Sequence, residues 1–376
     1  MYHNKKISDR FGAMGRPING GNLKLSIKQA GLLCVLSFLP HVASAGLIFN
    51  FTDSTGNAAA DQAFAAAGAM WSSILSDNVT LNIAIGYSSL GAGVLAQTSN
   101  TESDFTYSAT RSHLIADATS AADAVAVQNL PSGSAFRLLI NRTSNDPNGS
   151  GSATPYLDAD GDANNSTIHM SDSNAKALGL IAGNGAELDG SITFSSDFNF
   201  DFDSGDGITA GEYDFTGIAE HELGHLLGFI SGVDILDENS PPYAGPYSDD
   251  QFTYVSTLDL FRYSADSFAQ GAIDWTADDR QKYFSIDGGL DIVTTFATGV
   301  NFGDGSQASH WQDGLGIGIM DPTAAPGEAL SISSNDIEAL DVIGWNVAAP
   351  EPASVTLLVT SLAAIFLRRR ARGARS

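Results

Sequence analysis

Two histidines and a glutamate stand at a spacing that suits a metal site in the stretch AEHELGHLLGFISG, residues 219–232. On a helix, His221 and His225 lie one turn apart on the same face, so both imidazoles can be directed at one ion. Glu222 lies too far round the helix to be a third ligand, but it can reach a metal-bound water as a general base. Gly228 is expected to take a left-handed conformation that ends the helix and turns the chain beneath the metal. The pattern predicts a zinc ion and attack of activated water on a peptide carbonyl.

The motif supplies two protein ligands, whereas a catalytic zinc site needs a third and keeps the fourth position for water. Six residues beyond the second histidine of the motif stands Ser231, a poor zinc ligand, and Asp234 is the nearest oxygen alternative. One histidine lies further along the chain, His310, in the stretch QASHWQDGLGIGIMDPTAAPGE. His113 and His169 have no partner motif, and we assign them no role.

The elements that must hold the motif alternate between strands and helices. The predicted strands are 46–52, 78–87 and 190–203, and the predicted helices besides the one with the motif are 57–75, 115–130 and 334–345. The motif helix is expected to be capped by Asp214 or Thr216, and the last helix by Ser334 or Asn335.

These elements predict an α+β domain with a mixed twisted sheet and an active-site cleft. Residues 46–348 contain no long linker and no repeat with a fixed period, so we expect one catalytic domain. Its N-terminal part, 46–228, ends with the motif helix. Its C-terminal part, 229–348, is rich in Gly, Asp and Ser and is expected to form an irregular subdomain.

Residues 1–45 have the features of a secretory signal peptide. Lys24 and Lys28 precede the apolar run AGLLCVLSFL, and the small residues ASA at 43–45 offer a cleavage site before Gly46. The one cysteine, Cys34, lies inside this apolar run. The exported protein is therefore expected to have neither a disulfide nor thiolate chemistry.

Residues 349–376 contain the tripeptide PEP at 350–352, a short apolar run at 355–367 and the basic stretch RRRARGAR. The order of these parts resembles the PEP-CTERM sorting signal of Gram-negative bacteria, which an exosortase recognises and removes. The alternative is an ordinary tail anchor, since the basic flank obeys the positive-inside rule. Either interpretation implies an exported protein with transient contact to the inner membrane, released to the medium or kept at the cell surface.

The body of the chain is strongly acidic. Eleven of the 18 Lys and Arg residues lie before residue 46 or after residue 350, which leaves seven basic residues against 41 acidic ones and a net charge of −34. Such a surface repels nucleic acid and anionic lipid. We expect no nucleic-acid partner.

Two acidic loops are candidates for calcium. The stretch DADGDANN places Asp158, Asp160 and Asp162 at alternate positions, and the stretch DFDSGDG contains Asp201, Asp203 and Asp206. Calcium favours loops rich in carboxylate oxygens. Neither loop is an EF-hand, and solvated turn aspartates explain the pattern equally well.

The motif and the residues after it resemble the leishmanolysin-like branch of the metzincin metallopeptidases. In that family HExxHxxGF is followed by HW, then by a methionine in a tight turn, then by a closing helix, and here Trp311 follows His310, Met320 lies in IMDP, and 336–345 read DIEALDVIGW. The resemblance also extends to PEP-CTERM-bearing bacterial metalloproteases. It covers residues 190–346, with a looser agreement over 46–189.

This resemblance implies a metzincin-like zinc endopeptidase that acts on protein or peptide substrates. His310 is then the third zinc ligand, Met320 forms the turn below the metal, and 190–203 is the edge strand beside which an extended substrate binds. Leishmanolysins are rich in cysteine and this body has none, so a cysteine-switch form of latency is excluded. The alternative function is a surface or biofilm-matrix protein with a structural zinc, and Glu222 argues against it because a structural ion has no use for a general base.

Overall fold

The structure, a computed structural model, describes residues 46–348 apart from Asp53, Ser54 and Pro246. The signal peptide predicted at 1–45 and the sorting signal predicted at 349–376 lie outside the described residues. None of the helices in the described part of the chain has the length and apolar character needed to cross a membrane.

The described residues form an α+β fold, as predicted. The strands are β1 (Ile48–Phe51), β2 (Thr80–Ser88), β3 (Ala96–Asn100), β4 (Glu102–Thr106), β5 (Leu138–Ile140), β6 (Tyr156–Asp158), β7 (Thr167–Ser171), β8 (Gly190–Ser195), β9 (Phe200–Asp201), β10 (Tyr213–Asp214), β11 (Arg262–Tyr263), β12 (Ile273–Asp274), β13 (Lys282–Phe284) and β14 (Thr294–Phe296). The α-helices are α1 (Ala58–Ile74), α2 (Tyr107–Asp117), α3 (Ala121–Asn129), α4 (Ala163–Ser166), α5 (Asp172–Ala177), α6 (Phe215–Leu226), α7 (Val233–Glu238), α8 (Ala265–Gln270) and α9 (Ser334–Val342). Short 3₁₀ turns occupy Ser204–Asp206, Asp249–Gln251 and Leu258–Phe261.

The largest sheet has the strand order β1-β2-β8-β3. β1, β2 and β8 run parallel, whereas β3 pairs antiparallel with β8. The prediction that 190–203 forms the edge strand is wrong, because β8 is paired on both sides. The edge strand next to the motif helix is β3, which on its far side pairs with no other strand of the described residues.

The remaining strands form smaller sheets, and these occur in both 46–228 and 229–348. β4 pairs with β7, β5 lies between β12 and β6, β13 lies between β11 and β14, and β9 pairs with β10. One buried apolar cluster nevertheless includes residues from both 46–228 and 229–348. The two predicted parts therefore share a core.

Aromatic packing fixes the start of the motif helix α6 against the sheet. Phe215, the first residue of α6, stacks on Phe194 of β8 with ring centroids 3.9 Å apart, and Phe64 of α1 meets both rings edge-on at 5.3 Å. All three side chains are fully buried. The buried Trp71 of α1 also donates its indole N–H to the Glu220 carbonyl at 2.9 Å. The helix is therefore held along its length by apolar burial and by a bond to its backbone.

Two predicted elements are divided in the structure. The helix predicted at 115–130 is interrupted at 118–120, where Ser120 and Asp123 form a capping box that begins α3. The strand predicted at 190–203 is interrupted after Ser195 and resumes for two residues as β9. In both places apolar periodicity continues across a turn, so periodicity alone predicts one element where there are two.

The predicted caps are right at α6 and displaced at α9. Asp214 caps α6, because its carboxylate accepts the Gly217 N–H at 2.9 Å. The last helix is capped by Ser333, one residue before the predicted alternatives, and its side chain forms a capping box with Asp336. Asp336 thereby acquires a fixed position at the start of α9.

Candidate metal centre and cleft

Three histidine rings meet at one point in the structure. The Nε2 atoms of His221 and His225 are 3.1 Å apart, those of His225 and His310 are 3.2 Å apart, and those of His310 and His221 are 3.3 Å apart. In the described part of the chain, this is the one group of three or more potential ligands whose atoms all lie within 4.8 Å of one another. The fold thus brings together two residues of one helix with a third from 85 positions downstream.

The hydrogen bonds of these rings determine which nitrogen carries the proton. His221 Nδ1 lies 2.7 Å from the Ile319 carbonyl, His225 Nδ1 lies 2.8 Å from the Phe229 carbonyl, and His310 Nδ1 lies 3.3 Å from the Gln307 carbonyl. A carbonyl oxygen can only accept, so each neutral ring donates from Nδ1 and keeps a lone pair on Nε2. Three lone pairs facing one another at this distance repel unless a cation lies between them.

The protonation state of the rings also suits a metal. Burial, together with the neighbouring imidazoles, lowers the pKa of His225 to about 3 and the pKa of His310 well below its usual value. His225 and His310 are therefore neutral at ordinary pH, which is the form that binds metals. Zinc–nitrogen bonds of about 2.0–2.1 Å at a tetrahedral angle separate two ligand nitrogens by about 3.3 Å. The observed spacing fits zinc.

Glu222 lies beside the three histidines in a buried position. Its carboxylate oxygen Oε2 is 2.6 Å from the Thr98 hydroxyl of β3, and that hydroxyl is also 3.0 Å from the Glu222 carbonyl. The side chain is 6 % exposed, and burial raises its pKa. Asn100 of the same strand donates its side-chain amide N–H to the His225 carbonyl at 3.3 Å. The edge strand is thus fastened to the helix that carries the motif.

The end of α6 has the predicted sharp turn. Gly228 has φ +113°, a conformation that side-chain-bearing residues rarely adopt, and a Cβ there would also press on Asn174 at 3.0 Å. Because of this turn, the chain folds back so that the Phe229 carbonyl reaches His225. The predicted structural role of Gly228 therefore has a specific geometric basis.

Met320 packs directly beneath the motif helix. A Cβ at Gly224 would collide with Met320 Sδ, so the glycine between Glu222 and His225 is what lets the thioether approach the backbone. Met320 is 1 % exposed, and its carbonyl accepts the Trp311 N–H at 2.9 Å. The methionine therefore forms a floor below the histidines, linked through Trp311 to the chain that carries His310.

One carboxylate holds this floor in place. Asp336, at the start of α9, accepts the Trp311 indole N–H at 2.8 Å, the Ile319 N–H at 2.8 Å and the Met320 N–H at 3.2 Å. It also accepts the N–H of the helix cap Ser333 at 2.7 Å. The side chain is 1 % exposed, so these bonds are shielded from water. The last helix thereby fixes both the turn below the metal centre and the residue next to His310.

The two alternatives for the third ligand have other partners. Ser231 donates its hydroxyl to Asp259 at 2.6 Å. Asp234 accepts the backbone N–H groups of Ala308 and Ser309 at 2.6 and 3.1 Å. Asp234 is therefore placed to hold the segment that carries His310, outside the group of three histidines. The buried Arg262 supports the same segment by donating to the Ala308 carbonyl at 3.2 Å.

The three histidines and Glu222 face a cleft of about 770 Å³. Residues 93–98 and Asn100, which include most of the edge strand β3, line one part of this cleft. Residues 321–324, after the methionine turn, also line it. The larger apolar side chains of the lining are Val94, Leu95, Phe198, Ile218, Ile230 and Leu330. The group of three histidines thus faces a cleft that is bordered by the edge strand β3.

The other residues considered from the sequence lie apart from this group. His113 bonds through Nδ1 to the Leu178 carbonyl at 2.8 Å, and His169 bonds to Glu102 and Asp104 at 3.0 and 2.6 Å. The six aspartates of the two acidic loops are also outside it. Asp158, Asp160 and Asp162 follow or end β6, and Asp201, Asp203 and Asp206 lie in β9 and the turn after it.

Sequence reasoning missed the residues that support the site from remote positions. Thr98 and Arg262 belong to no motif, Asp234 was considered only as a ligand, and Asp336 only as part of the closing helix. Two signals were available: a glycine stands at position 224 between Glu222 and His225, and Ser333 with Asp336 has the spacing of a capping box. Neither the family models nor the curated proteins nor the solved structures include a match to this chain.

Proposed function

We propose that this protein is a zinc-dependent endopeptidase of metzincin type that resembles the leishmanolysin-like branch. The observation that carries the proposal is the meeting of three unprotonated Nε2 atoms at 3.1–3.3 Å beside a buried glutamate in a cleft. Three imidazoles are a ligand set of catalytic zinc, and they leave a fourth position open. His221, His225 and His310 would hold the ion, and Gly228 and Met320 shape its surroundings.

Zinc at this position would supply a Lewis acid that polarises the substrate carbonyl and acidifies the attacking water. Glu222 acts as the general base and accepts the proton of that water. Thr98 holds the Glu222 carboxylate through a hydrogen bond of 2.6 Å, so that the base keeps its direction toward the cleft. The carbonyl partners of the three histidines keep the rings in the tautomer that leaves Nε2 free.

The substrate is a protein or peptide segment in an extended conformation. Among the described residues, no strand pairs with β3 on the side away from β8, and β3 lines the cleft beside Glu222. An extended peptide can add to such an edge as a further strand, which positions its backbone by a series of hydrogen bonds. This arrangement favours peptide bonds over other hydrolysable bonds, because a strand edge recognises polypeptide backbone.

The alternative is a non-catalytic surface or matrix protein that keeps the zinc for structural reasons. A structural zinc site usually has four protein ligands and is closed to solvent. Here three histidines face a cleft, and the neighbouring carboxylate bonds to a threonine instead of completing the ligand set. These features favour catalysis.

Glu222→Gln tests the function. Glutamine keeps the size of the side chain but cannot accept the proton, so zinc is expected to stay at about one equivalent while hydrolysis of an unbiased peptide library falls by about 100-fold or more. Undiminished turnover in this variant would contradict the proposed mechanism. Zinc at one equivalent with no hydrolysis by the unsubstituted protein would support the structural alternative.

The proposed setting is outside the cytoplasm of a Gram-negative bacterium, after removal of residues 1–45 and processing of the C-terminal segment by an exosortase. Mature protein is then expected to end near Pro350. An intact mass that still includes the sequence RRRARGARS would indicate a plain membrane anchor instead.

A further inference from the structure

One acidic side chain of the cleft has no role in the proposed reaction. The lining includes two carboxylates, Glu222 and Asp321, besides the three histidines. The histidines would hold zinc and Glu222 would act as the base, so Asp321 is the charged group that this reaction does not use. Neither lysine nor arginine occurs among the described residues that line the cleft.

Asp321 lies close to the proposed metal centre. It follows Met320 directly, and two residues before it the Ile319 carbonyl lies 2.7 Å from His221 Nδ1. Consecutive Cα atoms are about 3.8 Å apart, so the backbone of Asp321 is within about 8 Å of that of Ile319. An extended peptide advances about 3.3 Å per residue. A substrate side chain that reaches Asp321 therefore belongs to a residue near the bond to be cleaved.

The turn after the methionine orients the Asp321 carboxylate. The Asp321 N–H donates to the Gly318 carbonyl at 3.3 Å, and the Thr323 N–H donates to Asp321 Oδ1 at 3.2 Å. The Thr323 hydroxyl lies 2.8 Å from Asp313 Oδ1 and only 3.4 Å from Asp321 Oδ1, so Asp313 is its better acceptor. A carboxylate has about four acceptor positions, and these contacts leave room for a further donor.

The charge of Asp321 is not offset by the protein. Burial, together with the charge of Asp313, raises the pKa of Asp321, while the hydrogen bonds from Thr323 oppose the rise. Among the described residues, neither aspartate belongs to an ion pair within 4.0 Å. The body of the chain has a net charge of −34, and its seven Lys and Arg residues all lie outside the cleft lining. A cleft with one sign of charge concentrates ligands of the opposite sign.

We propose that Asp321 selects substrates that carry an arginine or a lysine near the bond to be cleaved. This inference rests on the proposed peptidase function and names its substrate class, which is extended segments of cationic polypeptide. Arginine suits the position best, because its planar guanidinium can donate two parallel N–H groups to one carboxylate. A glutamate at the same substrate position would be repelled by Asp321 and Asp313 and is therefore selected against.

Cleavage of matched peptides tests the selection. Sites cleaved in an unbiased peptide library should be enriched in arginine and lysine at one position near the cleaved bond. At that position, kcat/KM should be about fivefold or more higher for arginine than for glutamine, and lowest for glutamate. The ratio of arginine to glutamine should shrink as salt rises from about 50 mM to about 500 mM, because salt screens a partly exposed charge pair.

Matched variants assign this preference to Asp321. Asp321→Asn keeps an oxygen that can accept the Thr323 N–H, so zinc should stay at about one equivalent while the arginine-to-glutamine ratio falls to about one. Asp321→Glu keeps the charge and should keep a ratio above one. Asp279→Asn, at an exposed position outside the lining, should keep the full ratio. An unchanged ratio in Asp321→Asn, or loss of its zinc, would overturn the proposal.

Peptide binding separates this inference from the peptidase function. The zinc-loaded Glu222→Gln variant should bind a fluorescent arginine peptide about fivefold more tightly than its glutamine counterpart, and adding Asp321→Asn should remove the difference. If this holds but the unsubstituted protein cleaves no peptide, the peptidase function fails and Asp321 remains a recognition residue for cationic peptides. If peptides are cleaved but arginine and glutamine peptides bind and react alike, the inference is overturned and the peptidase function stands.

Discussion

The Thr98 hydroxyl on β3 lies 2.6 Å from the Glu222 carboxylate on α6, so one side chain of the edge strand holds the proposed general base. The strand that would bind substrate and the group that would activate water are thereby fixed relative to each other. Movement of β3 relative to α6 would break this short hydrogen bond between a hydroxyl and a carboxylate. Such bonds are among the stronger kinds.

Thr98→Val removes this hydrogen bond while it keeps the shape of the side chain. We expect kcat to fall about tenfold, which corresponds to the loss of about 1.4 kcal/mol from one charge-assisted bond. Zinc content and KM should change little, because neither the ligands nor the strand edge is altered. Thr98→Ser restores the hydroxyl and should recover most of kcat. A valine variant that loses zinc, or a serine variant as slow as the valine one, would argue against a positioning role.

His310→Ala should lose most of its zinc, because two histidines on one helix hold an ion weakly. Ser231→Ala should keep its zinc, since Ser231 bonds to Asp259 and not to the histidines. Zinc content by elemental analysis of the purified variants is the measurement. If His310→Ala retains one tightly held zinc while Asp234→Ala has none, the third ligand is Asp234 and the leishmanolysin-like assignment is wrong.

Asp336→Ala should lower the free energy of unfolding by about 3 kcal/mol or more. The substitution leaves four N–H groups without their acceptor, and at least three of them belong to a region shielded from water. Denaturant unfolding measures the effect, and Asp279→Ala, at an exposed position, serves as the control. A loss as small as that of the control would mean that the methionine turn is stable without Asp336.

His169 should make stability depend on pH. Its hydrogen bond with Glu102 raises its pKa, Asp104 adds to this effect, and burial opposes it. The folded state therefore favours the protonated ring, and the stabilisation is complete below the unfolded pKa of about 6.5 and is lost as pH rises through the higher folded pKa. The loss of stability caused by His169→Gln should thus be larger at pH 6 than at pH 9.

The control for this pH effect is the same comparison in a background with Glu102→Gln and Asp104→Asn. Without the two carboxylates, the cost of His169→Gln should no longer differ between the two pH values. An equal cost at both pH values in the original background would contradict the assignment.

The sequence predicted those parts of the site that are local in the chain. His221, Glu222, His225 and Gly228 belong to one helix and its end, and helical geometry sets their relative positions. The cap at Asp214 follows from the same local rules. The α+β class follows from the alternation of strands and helices along the sequence. The turn at 118–120 and the end of β8 were missed because apolar periodicity continues through them.

The parts that sequence reasoning missed depend on contacts between distant segments. Nothing near Thr98 indicates that it faces Glu222, 124 residues later. The resemblance placed the edge strand at 190–203, yet β3 pairs with β8 and takes the edge position itself. Asp234 was considered as a ligand because it is close in sequence, whereas its actual partners lie 74 and 75 residues away. Strand order and such partners follow from tertiary packing, which local patterns do not encode.

The position of Asp336 determines when the proposed metal centre can be completed during synthesis. Ribosomes deliver the chain from its N-terminus, so the motif helix emerges long before His310 and the methionine turn. Only after residue 336 has emerged can its carboxylate fix that turn and the neighbour of the third histidine. A nascent chain that ends before residue 336 contains His221, His225 and Glu222, but Asp336 does not yet hold the methionine turn. The order of residues along the chain therefore delays the assembly of the proposed hydrolytic centre until most of residues 46–348 are available to fold.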